Sequence, residues 1–471
     1  MSDRAEIGLI GLGTMGANLA LNIAEAGHRI AVFNRTTEKT RRFHEEAGRL
    51  SGRIVPTETL EALVGALASP RTIVMMVPAG APVSDQIAAL RPLLSPGDVL
   101  IDGGNSDWTD SGDRAADLGA DGLRFLGLGI SGGTEGARHG PSLMAGGDKA
   151  AWEVVEPVLT SIAARYEGSP CAAYFGKGGA GHYVKTVHNG IEYADMQMIS
   201  EIYGLMRDGQ GRGASDIAGV FARWNEGPLE SYLIEIAAEV SGATDPATGA
   251  PMLDLIADRA GQKGTGRWTV IDAQRRAAPL AAVEAAVTAR VLSGEPELRA
   301  EGERLFAEAG SLAPLDDSDL AGALLAGKIL AYSQGFTLLA RARAEEGWVM
   351  PLDTVARTWR AGCIIRWTML DDMARALAEA GEDRPLAFAP GFARTISTHL
   401  PALRRVIAAA TSAGLPAPAL SAALQHFDQL RQARGTANMI QGLRDRFGAH
   451  GFERIDRPGE TGLHGPWGGD A

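Results

Sequence analysis

The chain of 471 residues predicts an α/β fold, a doubly wound and mainly parallel sheet, followed by a large all-α domain and a short C-terminal tail. Three observations carry that reading. Short apolar runs alternate with helical segments through about residue 178, the pattern of strand–helix–strand units. A glycine-spaced turn, Gly11-Leu12-Gly13-Thr14-Met15-Gly16, joins the first apolar run to the first helix. Beyond Gly179 the strand pattern stops and long Ala/Leu/Glu/Arg segments take over. The expected domains are 1–178, 179–434 and 435–471.

Residues 6–12 are an apolar run that enters the glycine turn; a helical pattern continues to Ala26, Gly27 stops it, and residues 28–33 read as a second strand. In that setting G-x-G-x-x-G means a tight turn onto a helix N-terminus whose free amides can hold a pyrophosphate, the Rossmann-type dinucleotide site. An NAD enzyme usually carries an acid at the end of the second strand. Here stand Asn34, Arg35 and Thr36, with no acid before Glu38. A guanidinium and a hydroxyl suit a 2′-phosphate, so the cofactor reads as NADP; a mere surface charge is the plainer account of Arg35.

Further strands are expected at 72–77, 99–102 and 123–130. Ligands of such sheets bind at the carboxyl ends of the strands. Three loops fall there: Val77-Pro78-Ala79-Gly80, Asp102-Gly103-Gly104-Asn105-Ser106, and Ser131-Gly132-Gly133-Thr134-Glu135-Gly136. The third can present backbone N–H groups to a carboxylate. Glycine turns alone would also explain each.

Residues 182–203 are long, periodic and free of proline, hence a helix. Val184, Val187, Ile191, Met198 and Ile202 share one side. Lys185, His188, Asn189 and Glu192, at i, i+3, i+4 and i+7, form a stripe on another. The stripe offers a base, an acid, an imidazole and an amide to one cleft; a solvated face is the bland alternative. A weak internal repeat sets residues 220–227 against 354–362, and Lys185 against Lys328, where Ala331, Tyr332 and Gly335 replace the rest of the stripe. A polar stripe present in one copy only favours function. Lys263, in Gly261-Gln262-Lys263-Gly264-Thr265-Gly266, lies in a glycine loop that is not a Walker motif; it could wrap a phosphate, but taken by itself a solvated loop is the plainer account, and Arg290 is a second cation. From Gly435 the chain becomes Gly/Pro-rich, with Arg444, Arg446, His450 and Trp467: a disordered end, or one that orders against another subunit.

A formal charge of −12 argues against a nucleic-acid or anionic-membrane binder and requires a local basic pocket for any anionic substrate. No apolar run is expected to span a bilayer, and the start lacks signal-peptide organisation. Cys171 and Cys363 make neither a disulfide framework nor a metal motif. The cytoplasm is the expected compartment.

These motifs, in this order and over essentially the whole length, resemble the decarboxylating 6-phosphogluconate dehydrogenases. The segments that carry the likeness are Gly11–Gly16, Asn34-Arg35-Thr36, 102–106, Ser131-Gly132-Gly133, Lys185 to Tyr193, 262–266 and 444–450. The resemblance implies a Rossmann domain, a duplicated helical domain, and a tail that threads into the partner of a homodimer. It implies Lys185 as general base and Glu192 as general acid. Asn105, Ser131, Gly132, Gly133, His188 and Asn189 would meet the carboxylate and hydroxyl end of 6-phosphogluconate; Tyr193, Lys263, Thr265 and Arg290 would meet its phosphate. Arg444 and His450 would come from the other subunit. Gly11 to Gly16, Asn34, Arg35, Thr36, Val77, Pro78, Ala79 and Asn105 would line NADP. Pro78, Thr134 and Arg446 depart from the family pattern, where a lysine, an acid and an aromatic are common.

The implied reaction, in the oxidative pentose phosphate pathway, oxidises the C3 hydroxyl, releases CO₂ from the resulting β-keto acid and protonates the enediol to ribulose 5-phosphate. A neutral lysine can take the hydroxyl proton and, as ammonium, act as the electron sink, so no metal is required. Burial and nearby cations lower a lysine pKa while the anionic substrate and Glu192 raise it, a balance set by structure. Two rivals are a 3-hydroxyacid dehydrogenase acting on an unphosphorylated substrate, which would lack the second helical copy and the 444–450 segment, and a non-catalytic NADP-binding scaffold.

Overall fold

The computed structural model describes residues 4–306, 310–379 and 384–467. They form two compact units, the first reaching to Ala423 and the second starting at Leu424.

In the first unit, one sheet contains β1 (Ile7–Ile10), β2 (Ile30–Phe33), β3 (Ile54–Thr57), β4 (Thr72–Met75), β5 (Val99–Asp102), β6 (Arg124–Ile130), β7 (Leu143–Gly147) and β8 (Ala172–Tyr174). Their order is β8-β7-β6-β5-β4-β1-β2-β3, parallel throughout except for the antiparallel β6–β7 pair. The order reverses between β1 and β4, which places the ligand crevice at their carboxyl ends. Ile7, Leu9, Val74, Val99 and Ile101 enter the core on one face, and Ile10, Ile73, Met75 and Leu100 the core on the other. Strands covered on both faces read as continuous apolar runs, which is why five of them were visible in the sequence. The other three were not. β3 contains Pro56, tolerated because this strand is at the sheet edge; β7 ends in Gly146-Gly147, and β8 has three residues.

The helices that build the site are α1 (Thr14–Glu25), α2 (Trp108–Ala120), α3 (Gly133–His139), α4 (Ala180–Gly204), α5 (Thr265–Arg275), α6 (Ala281–Ser293) and α7 (Asp317–Glu346). The polar stripe was read on α4, and the structure buries that helix almost all round, from Ala180 through Ile191 without a break. Glycines make this possible. A Cβ at Gly129 of β6 would stand 2.5 Å from the Lys185 Cβ, one at Gly127 2.7 Å from the His182 ring, and one at Gly146 of β7 2.1 Å from the Gly181 nitrogen. On its other side α4 meets α7, where a Cβ at Gly335 would stand 2.5 Å from Ile191.

Helix α7 corrects the expectation that no apolar run is long enough to span a bilayer. The helix is 30 residues long and its most apolar 18-residue stretch has a mean hydropathy of 1.2, enough by length and composition, but 89% of that stretch is buried in the protein, which makes it a core helix. Its Lys328, set against Lys185 by the repeat, has a different fate. Lys328 is fully buried and its Nζ donates to both Asp195 oxygens at 2.8 and 2.7 Å.

In the second unit, a helix at Ala437–Gly448 precedes a looped segment. The Asp445 carboxylate accepts from the N–H groups of Gly465 (2.9 Å) and Gly451 (3.0 Å), the His464 ring (2.6 Å) and the Trp467 indole (3.0 Å). Led by the Gly465 N–H, these donors hold its pKa down at about 2. One carboxylate therefore orders a stretch whose composition alone allowed disorder.

At the end of α4, Glu201 accepts the N–H groups of Ala419 (2.8 Å) and Leu420 (3.0 Å) at the start of the helix Pro418–Leu430. Burial nevertheless pushes its pKa up from 4.5 to about 7. A carboxyl raised in the folded state favours folding at low pH, and this contribution is lost as pH rises through about 7. Denaturant unfolding of the parent and Glu201→Gln, from about pH 5 to about pH 8, should show the gap between them shifting with pH by up to ~3 kcal/mol in the variant's favour. A gap independent of pH would contradict it.

Candidate active site

The glycine turn has the three spacings a dinucleotide needs, each for its own reason. Gly11 has φ +99°, and a Cβ on it would meet the Met76 carbonyl at 2.4 Å; a Cβ on Gly16 would meet the Gly11 carbonyl at 1.9 Å. Gly13, by contrast, faces open space. It precedes α1, whose first turn has no acidic residue and no side-chain cap, so its N–H groups are free for an anion. Leu12 is tied to the end of β2, its N–H donating to Asn34 Oδ1 at 3.0 Å. Beyond it Arg35 and Thr36 are exposed. Thr14 and Met15 begin α1 beside Gly13, and Val77, Pro78 and Ala79 follow β4 at the same crevice. The residues present fit a dinucleotide carrying a 2′-phosphate.

Asn105 is exposed on the loop after β5. After β6 come Ser131, buried, and Gly132 and Gly133, both at positive φ, which turn the chain into α3. Only glycine fits at 132, where a Cβ would strike the Gly362 carbonyl at 2.5 Å.

Against Ser131 lies the α4 stripe. Lys185 Nζ donates to Ser131 Oγ at 2.9 Å. That hydroxyl can pass its own proton to His188 Nε2, 3.2 Å away, while His188 Nδ1 stands 3.1 Å from Asn189 Oδ1. The chain of donors is consistent with a neutral imidazole protonated on Nδ1. Lys185 Nζ is 3.3 Å and Glu192 Oε2 3.8 Å from that same Nδ1, so amine and carboxyl share one space. The edge of the Trp359 ring closes the back of His188 at 5.7 Å.

Electrostatics follow from burial. Among the described residues Lys185 has no carboxylate within ion-pair distance, and burial drives its pKa below the ordinary 10.5, against the pull of Glu192. Burial pushes the Glu192 carboxyl up, opposed by Lys185 and Arg290 and assisted by Asp195. His188 is held well below 6.5, first by burial and then by Lys185. Burial thus shifts all three groups in the direction of their neutral forms.

Farther along, the Tyr193 ring packs over Gly266 in the first turn of α5, where a Cβ would lie 2.5 Å from it, and the Arg290 guanidinium of α6 stacks 3.8 Å from the ring centre. Thr265 is buried at that helix start, Gly264 before it adopts φ +104°, and Lys263 is exposed. A cation, an aromatic hydroxyl and a helix N-terminus thus gather beyond Glu192. Arg444 and His450 lie in the second unit, both exposed; Arg444 donates to Gln441 Oε1 at 3.3 Å and His450 meets the Phe447 ring at 5.8 Å. Among the described residues no cluster of three or more His, Cys, Asp or Glu could hold a metal. Sequence reasoning missed the glycines of β6 and β7, although Gly127-Leu128-Gly129 within a strand is the kind of signal that marks a close backbone approach. It also missed His182, Ser111 and Arg114, which are described below.

Comparison with known proteins gives the same picture. Residues 6–176 match the family model described as the NAD binding domain of 6-phosphogluconate dehydrogenase, and residues 181–467 match that of its C-terminal domain. The decarboxylating 6-phosphogluconate dehydrogenase of Chlamydia pneumoniae is 46% identical over 470 residues, 98% of each chain. The NADP(+)-dependent, decarboxylating enzyme of Bacillus subtilis is 42% identical over 463 residues, 97% of this chain and 98% of that one. Among solved structures, Plasmodium falciparum 6-phosphogluconate dehydrogenase, described in apo form and with NADP+ or 6-phosphogluconate, superposes with a TM-score of 0.94 at 39% identity, covering 98% of this chain and 100% of that one.

Gly129→Ala tests the packing that places the amine. The added methyl must displace Lys185 or β6, so unfolding should cost about 1–3 kcal/mol more than in the parent. An unchanged denaturation midpoint would show that the approach is looser than the geometry states.

Proposed function

The chain belongs to the 6-phosphogluconate dehydrogenase family, and on that premise we propose how its residues divide the work of the reaction. The activity is oxidative decarboxylation of 6-phospho-D-gluconate to D-ribulose 5-phosphate and CO₂, with reduction of NADP⁺ to NADPH. The observation that carries the division is the buried Lys185 amine, 2.9 Å from Ser131 Oγ and sharing the His188 Nδ1 with Glu192.

Gly11, Leu12, Gly13, Thr14, Met15, Gly16, Asn34, Arg35, Thr36, Val77, Pro78, Ala79 and Asn105 would hold NADP⁺, which would supply the acceptor for the hydride leaving C3. Lys185 takes the C3 hydroxyl proton, for which a lowered pKa is needed. The C1–C2 bond then breaks, its electron pair moves to form the C2–C3 double bond, and the ammonium of Lys185 returns a proton to the C3 oxygen. Glu192, whose raised pKa keeps a proton available, protonates the former C2, and Lys185 recovers the proton of the enol. Burial lowers the one pKa and raises the other, so both groups shift toward their neutral forms, as a base and an acid in these roles require.

Asn105, Ser131, Gly132, Gly133, His188 and Asn189 hold the carboxylate and hydroxyl end of the substrate. Tyr193, Lys263, Thr265 and Arg290 hold its phosphate, supported by the stacking of Arg290 on Tyr193. The working form is proposed to be a cytoplasmic homodimer in which Arg444 and His450 reach the partner's site. Exposed Met439, Ile440, Leu443 and Phe447 on the helix of the second unit support such a contact. The proposed division of the chain is 1–178, 179–434 and 435–471; the break between the family models at 176 and 181 supports its first boundary.

With 6-phosphogluconate and NADP⁺, Lys185→Ala should lose NADPH and CO₂ formation together, by about 10²–10⁴-fold. Glu192→Ala should still show single-turnover NADPH formation but release ribulose 5-phosphate slowly. Near-parental turnover by Lys185→Ala would refute the base. Arg35→Asp should raise the KM for NADP⁺ by about tenfold or more and bring NAD⁺ closer to parity; an unaltered ratio of the two efficiencies would remove Arg35 from the 2′-phosphate.

A further inference from the structure

Asp102 ends β5 and is fully buried. Its Oδ1 accepts the Gly104 N–H at 3.0 Å and its Oδ2 the Ser106 hydroxyl at 2.6 Å, so one carboxylate shapes the loop bearing Asn105. Arg114 of α2 lies 3.4 Å from the same Oδ2 and donates to the Gly80 carbonyl at 3.0 Å. The loops after β4 and β5 are thereby joined through one ion pair.

His182, three residues before Lys185 on α4, sits against this cluster at 1% exposure. Its Nδ1 is 2.7 Å from Ser111 Oγ, which is itself 3.0 Å from the Asp107 carbonyl. Ser111 has one proton. If it goes to the carbonyl, Nδ1 must carry the imidazole proton and Nε2 is a buried lone pair; if it goes to Nδ1, Nε2 carries the proton. In both cases Nε2 is buried and, among the described residues, makes no well-formed hydrogen bond, although the carbonyls of Asp102 and Gly104 lie close enough to the ring to act on it. Burial keeps the imidazole pKa low, with Asp102 acting against it. A hydrocarbon side chain would avoid the orphaned nitrogen, so its presence calls for a reason.

We propose that His182 is a positioning residue: it couples the first turn of α4 to Ser111 and to the backbone of the 102–104 loop, and so sets where the dinucleotide held by Asn105 stands relative to the Lys185 amine. With Nδ1 accepting from Ser111, Nε2–H is free to donate to a loop carbonyl when that loop takes up its load. The inference rests on the assignments of Lys185 and Asn105 above.

The test uses His182→Phe, His182→Gln and Ser111→Ala in the full-length enzyme, with turnover, thermal midpoint and the isotope effect of 6-phosphogluconate deuterated at C3. His182→Phe and Ser111→Ala should lower kcat about tenfold or more, because misplaced reactants slow the chemical step. Both should enlarge the deuterium effect on kcat as hydride transfer becomes limiting. Glutamine, which retains an N–H donor, should restore part of kcat whether or not it restores the midpoint. Parental kcat and isotope effect in His182→Phe and Ser111→Ala, or losses that only follow the folded fraction with no gain from glutamine, would overturn the proposal. A parent that does not turn over 6-phosphogluconate would instead contradict the underlying assignment.

Discussion

The close approach of α4 to the sheet is the constraint on which the site depends. A long helix crossing the carboxyl end of a β-sheet normally stands off by the thickness of two side-chain layers. Here Gly127, Gly129, Gly146 and Gly181 remove one of them, and the backbone of α4 lies against β6 and β7. The consequence is chemical. Lys185 emerges at the end of β6 beside Ser131, where the sheet also delivers the loops that face the glycine turn. A bulkier residue at 129 would leave the fold's topology intact and move the amine.

Burial then does the electrostatic work. A lysine in water holds its proton; one walled off from solvent without an ion-pair partner gives it up more readily. The contrast with Lys328 is instructive, since both lysines are buried on long packed helices. Lys328 is matched with Asp195 at hydrogen-bond distance, whereas Lys185 is matched with a hydroxyl and a neutral imidazole. One is a structural ion pair and the other the amine proposed as the base. Glu192 shows the reverse logic: Lys185 and Arg290 favour its charged form, but burial outweighs them. The amine and carboxyl each soften the other's shift, and desolvation sets the direction of both.

Much of this could be read from the residues themselves. The glycine turn, the strands buried on both faces and the polar stripe on α4 are periodic signals, because a single element generates each. The edge strand with Pro56 and the glycine-ended β7 were hidden, since their residues report tertiary contacts rather than local preference. The stripe was read as one face of a helix directed at a cleft, but that helix is enclosed by β6, β7 and α7, which no periodicity discloses. The long apolar α7 was passed over because interrupting Lys328 and Gln334 look polar in sequence; in the fold both are buried. His182 was invisible for a related reason: its neighbours, Ser111 and the 102–104 backbone, are far away in sequence, Ser111 by 71 residues.

The central claim is that burial outweighs the neighbours of Lys185 and holds its pKa below the ordinary lysine value. The chain has only six lysines, which makes each one resolvable by NMR after labelling with ¹³C at the ε-carbon. A pH titration, with the Lys185 signal identified by its absence in Lys185→Met, reads the ionisation directly. We expect that signal to titrate clearly below the ordinary lysine value of 10.5. Titration at 10.5 or above, in the folded enzyme, would contradict the account.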